Sequence, residues 1–113
     1  MPRFLITVNR PEGFNPSAAE IQFMSAAIDA LNLEMQIAGI RVFVGGLQSV
    51  RLATSLRRSG DGEIAVTGGP LHQGPEQVDG FWVIEASDQD EALAWALKAA
   101  DACRASIEVR AFN

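Results

Sequence analysis

The chain holds one histidine, His72, and it sits in a loop dense in glycine and proline between two strand-like runs: Thr67-Gly68-Gly69-Pro70-Leu71-His72-Gln73-Gly74-Pro75-Glu76-Gln77. Histidine is the side chain whose ordinary pKa lies nearest neutrality, which makes His72 the first candidate for general acid or base work. Gln73 and Glu76 are near enough in sequence to orient its ring if the loop folds back. Thr67 and Arg57 could hold a substrate oxygen, and the backbone of Gly68-Gly69-Pro70 and of Gly45-Gly46 could expose amides to one. The candidate set is therefore His72 as catalytic acid or base, with Thr67, Gly69, Pro70, Gln73, Glu76 and Arg57 as ligand contacts. The plain alternative is a solvated loop histidine beside turn-forming glycines.

Other chemistries find less support. One histidine and one cysteine, Cys103, far apart in the chain, do not make a ligand-spaced cluster, so no metal is expected, and no residue pattern calls for a cofactor. Cys103 near a helix end, with no base close by in sequence, reads as structural. Asp88, Asp90 and Glu91 suit the start of a helix and need no catalytic role. A net charge of −5 argues against a protein that tracks nucleic-acid phosphates. The N-terminal run from Met1 to Val8 reads as too short and too alternating for a signal segment, and no apolar run approaches a membrane span, so a cytoplasmic address is expected.

The elements that must position the loop follow from local pattern. At 113 residues, 48% of them apolar, the chain forms one domain over 1–113. Arg3–Val8 reads as a strand apolar on both faces, hence interior. Ser17-Ala18-Ala19-Glu20 is a capping box opening a helix whose buried face is predicted at Ile21, Met24, Ile28, Leu31 and Met35, with Gly39 as its stop. Val42–Val44 is a short strand. Leu52–Arg58 and Glu63–Thr67 flank the turn Ser59-Gly60-Asp61-Gly62 and predict a hairpin. Phe81–Ala86 is the strongest strand, with no face that reads as solvated. A second helix opens at Asp88, its buried face predicted at Leu93, Ala96, Leu97 and Ala100. Ser106–Phe112 is a half-exposed last strand.

The order strand, helix, strand, hairpin, strand, helix, strand predicts an α+β, ferredoxin-like sheet with both helices on one face. Two helices roof one side only, so the apolar second face predicts a homodimer packed sheet to sheet.

The segments Thr67-Gly68-Gly69-Pro70-Leu71 and Gly80-Phe81-Trp82-Val83-Ile84-Glu85, with Ala38-Gly39, Gly46-Leu47-Gln48 and Ala53-Thr54, resemble the YCII-related proteins, in particular the branch named for its DGPF motif. The resemblance runs nearly end to end. It implies a dimeric α+β barrel and little about chemistry, since the family is mostly without an assigned reaction. Gly68 stands where that branch usually has aspartate, and Leu71 where it has phenylalanine. The histidine–aspartate pair of the smaller members, in the first half of the chain, has no counterpart, because no histidine precedes His72. The reading is a small-molecule-binding homodimer with a pocket beside residues 67–77. The alternatives are a cofactor-free proton-transfer, isomerase or lyase enzyme using His72, and a regulatory protein that binds partners through its hairpin.

Overall fold

A computed structural model describes all 113 residues. The elements are β1 (Arg3–Arg10), α1 (Ala18–Ala38), β2 (Arg41–Gly46), a short 3-10 turn (Val50–Leu52), β3 (Thr54–Arg58), β4 (Ile64–Gly68), β5 (Gln77–Glu85), α2 (Gln89–Cys103) and β6 (Ser106–Ala111). Four strands form one antiparallel sheet in the order β2-β5-β1-β6, and β3 and β4 pair apart from it as a hairpin arm. Because β1 and β2 both run against β5, and β5 and β6 both run against β1, each long helix joins two parallel strands separated by a third. This is the ferredoxin-like α+β plan with the arm inserted before β5.

Local signals fix the helix ends. The Ser17 side chain accepts from the Glu20 amide, the Glu20 side chain accepts from the Ser17 amide, and Gly39 closes α1 in the left-handed region at φ 72°. Asp88 caps α2 by accepting from the Glu91 amide, while Arg104, a non-glycine residue, takes the left-handed position at φ 48°. Its guanidinium lies 4.3 Å over the Phe23 ring.

The core lies between the helices and one sheet face. Phe4, Ile6 and Val8 of β1 face inward beside Trp82 and Ile84 of β5, against Leu31, Met35, Ala92, Ala96 and Ala99. Two expected helix faces need correction. In α2 the buried positions are Ala92, Ala96, Ala99, Ala102 and Cys103, while Leu93 and Leu97 are exposed. The large side chains here belong to the sheet, and a stripe of small ones lets the helix sit close over them. In α1, Met24, Leu31 and Met35 are buried, but Ile21 is exposed, because the first turn overhangs a cleft rather than the sheet. Leu52 belongs to the 3-10 turn, and the arm starts at Thr54.

The opposite sheet face has no cover. Register places Phe43, Val83, Leu5 and Arg110 in one row across it, and Gly45, Phe81, Thr7 and Glu108 in the next. The Phe43 and Phe81 rings meet at 5.7 Å between centroids. A Cβ on Gly45 would come within 3.3 Å of the Phe43 ring, so glycine leaves room for that pair. The radius of gyration is 16.1 Å, against about 13 Å for a compact chain of this length, and the shortest dimension is 18 Å. A single layer of helices and a projecting arm account for that flatness.

Candidate functional site

The loop after β4 is fastened to the base of the arm. Gly69, at φ 100°, makes the turn that only glycine takes easily. Its amide donates to the Ala53 carbonyl at 2.7 Å, and its carbonyl accepts from Ser55 Oγ at 2.6 Å. Farther along, Arg57 Nη2 donates to the Leu71 carbonyl at 2.9 Å and Gln77 Nε2 to the His72 carbonyl at 2.7 Å. These bonds hold the loop beside a cleft of about 380 Å³ lined by Leu47, Val50, Leu52, Pro70, His72 and Gln77 among others.

The expected site residues divide into two groups. Pro70 and His72 line the cleft, and Gly69 and Arg57 shape the loop through the bonds just described. Thr67 pairs with Ser55 in the arm and Gln73 is exposed; neither lines the cleft. Glu76 points elsewhere, accepting from Ser106 Oγ at 2.8 Å. The His72 ring is exposed and makes no hydrogen bond within the chain; only its backbone carbonyl is engaged. Gln77, not Gln73 or Glu76, reaches back to the histidine, and it holds the main chain rather than the imidazole.

Sequence reasoning missed the neighbouring cleft, about 580 Å³, between the first turns of α1 and the ends of β1 and β5. The two clefts share Gln48, Ser49, Val50, Gln77 and Val78 as a common wall. β1 runs two residues past its expected end, to Arg10. Its pairing with β5 steps from Val8↔Gly80 to Asn9↔Val78, which leaves Asp79 outside the ladder as a bulge. Arg10 Nε donates to Asp79 Oδ2 at 3.0 Å, and the guanidinium lies 4.6 Å over the Phe14 ring. Arg10 Nη1 is buried and has no hydrogen-bond partner within the chain. The sequence signal available for this site was the arginine ending an apolar strand. Nothing local announced its partner 69 residues on.

Behind Arg10, Cys103 is buried, and burial pushes its thiol pKa up; the Arg10 charge opposes this and that of Asp79 adds to it. The thiol stays protonated near neutrality, as suits a packing residue. No three histidine, cysteine, aspartate or glutamate side chains come together in a metal-binding group. No helix is long and apolar enough to cross a membrane.

Comparison with curated proteins returned no match. The family model of the YCII-related domain matches residues 3–112, a range that spans every element from β1 to β6, and the chain belongs to the YCII-related domain family.

Proposed function

We propose that the chain is a small-molecule-binding homodimer whose ligand occupies the cleft beside residues 67–77, within the DGPF branch of the family and in the cytoplasm. The observation that carries the ligand reading is the fastened loop. Its backbone bonds to Ala53, Ser55, Arg57 and Gln77 shape one wall of a cleft whose volume falls in the range of small-molecule sites. A loop held in place this way loses little entropy when a ligand docks. Thr67-Gly68-Gly69-Pro70-Leu71 supports the branch, although Gly68 lacks its usual acid. Binding is preferred over acid–base catalysis because the exposed His72 ring has no group in the chain to orient it.

The dimer reading rests on the bare sheet face. Phe43 and Val83 of the edge and inner strands, with Leu5 and Phe81, form an apolar patch flanked by Glu108 and Arg110, charges of both signs that a twofold partner can match. A fragment panel of small organic molecules titrated against the amide spectrum tests the ligand site. Saturable shifts at Leu71, His72 and Gln77 are expected for at least one fragment, and a panel that moves none of them would remove the proposal.

A further inference from the structure

We propose that the outer face of α1 is a docking surface for a basic amphipathic helix of another protein. This goes beyond the loop-side reading and stands on a different element.

Two apolar stripes run along α1. Met24, Leu31 and Met35 make the inner one and are buried. Ala19, Phe23, Ala26, Ala30, Leu33 and Ile37 make the outer one, at alternating steps of four and three residues. All six are exposed, Leu33 by 57% and Ile37 by 79%. A helix lying on a sheet needs only the inner stripe, and a second at this spacing is the seam by which one helix receives another. With 21 residues α1 is about 30 Å long, so the seam runs for several turns. Ala26 and Ala30 at its middle let a partner backbone come close, while Leu33 and Ile37 offer bulk to pack against.

Charge decides the occupant. Six of the chain's acids and one of its bases lie within α1 and α2, so the two helices carry the whole net charge of −5 and the rest of the chain is balanced. No base occurs in α1 at all. Asp29, Asp90 and Asp101 are exposed and make no ion pair. The cations nearest the seam are already engaged, Lys98 with Glu34 and Arg104 over the Phe23 ring at 4.3 Å. An apolar seam on an acidic layer matches a helix whose apolar stripe is edged by lysine or arginine. A second copy would set this charge against its like, and an anionic membrane would repel it.

The test titrates three synthetic peptides against the amide spectrum at neutral pH: a lysine–leucine peptide with leucines at the spacing of the seam, a glutamate–leucine peptide of the same pattern, and a lysine–leucine peptide of scrambled order. The expected result is saturable movement of the Ala26, Ala30, Leu33 and Ile37 signals with the patterned basic peptide, and binding of the other two weaker by about tenfold or more. Leu33→Ser with Ile37→Ser should weaken the patterned peptide by about tenfold or more, and so should Asp29→Lys with Asp101→Lys, which keeps the seam and removes the charge match. His72→Ala should leave its binding unchanged. Should the serine variant fail to fold, the lysine variant carries the test. No saturable shift on α1 would overturn the proposal, as would equal binding of the acidic or scrambled peptide, or undiminished binding to the variants. A lower light-scattering mass for the serine variant than for the unaltered protein would overturn it in favour of a second copy. Attachment of the unaltered protein to phosphatidylcholine vesicles, lost in the serine variant, would overturn it in favour of a membrane.

Discussion

Asn32 shows how much one half-buried polar side chain can hold at the edge of an apolar core. Its Oδ1 accepts from Trp82 Nε1 at 2.9 Å and from Arg41 Nη1 at 3.2 Å, joining α1 to the two strands beneath it. Asn32→Ala should cost about 1–3 kcal/mol, because the buried indole N–H is then left without an acceptor. Urea denaturation would measure it, and a cost near zero would mean that the indole finds another partner. Gly80 makes a second, steric prediction. A Cβ there would come within 3.0 Å of the Gly45 carbonyl oxygen and 3.4 Å of Gly46 Cα, whereas a Cβ on Gly46 meets nothing within 4 Å. Gly80→Ala should therefore destabilise by about 1–3 kcal/mol, as overpacking does, and Gly46→Ala far less. Thermal melts of the pair would separate the close approach of two backbones from a general effect of losing glycine.

At the scale of elements, both helix starts carry a carboxylate tied to a serine. Glu20 accepts from the backbone and side chain of Ser17 in this order of effect, and Glu91 from the side chain and backbone of Ser87; these bonds hold both carboxyls below their ordinary value of 4.5. A depressed folded-state pKa gives stability that is fully present above the unfolded value and is lost as pH falls through the folded one. Stability should therefore fall on acidification below 4.5, and Glu20→Gln with Glu91→Gln should flatten that fall in denaturation curves taken across the window. The arm makes a different prediction. Leu56, Ile64 and Val66 lie on one face of β3 and β4 and are all exposed, and a two-stranded hairpin without further cover is marginal in water. Its amides should exchange with solvent far faster than those of Ile6 or Ile84 in the central sheet, in hydrogen-exchange measurements. Equal protection would mean that the arm is covered in solution.

For the molecule as a whole, the question is what roofs the second sheet face. Phe43 is 56% exposed although its neighbours across the row are a valine and a leucine. Burying that face against a copy of itself removes apolar area from water at about 25 cal/mol per Å². Light scattering should return the mass of two chains, and Val83→Glu should return the mass of one, because two such charges would meet across a dry interface. A single-chain mass for the unaltered protein at all accessible concentrations would end the dimer reading and leave the loop-side cleft to be tested alone.

Sequence by itself determined the ends of α1, the cap of α2, the interior rank of β1 and β5, and the existence of the hairpin, though not its separation from the main sheet. Each rests on signals a few residues apart: a serine three positions before a glutamate, a glycine after an apolar stripe, strands greasy on both sides, a turn of glycines and acids. The central loop was legible too, but the partners of its residues were not. Tertiary structure alone decided that α2 presents its alanines rather than its leucines to the core, that Glu76 turns to Ser106, and that Arg10 meets Asp79 beside a cleft. Helical periodicity ranks faces by the size of their own side chains, whereas burial depends on what the opposing surface supplies, here Trp82 and the large residues of β1. The Arg10–Asp79 and Asn32–Trp82 contacts span 69 and 50 residues, and the path of the chain that brings them together is set by sheet order and register, which no local pattern encodes.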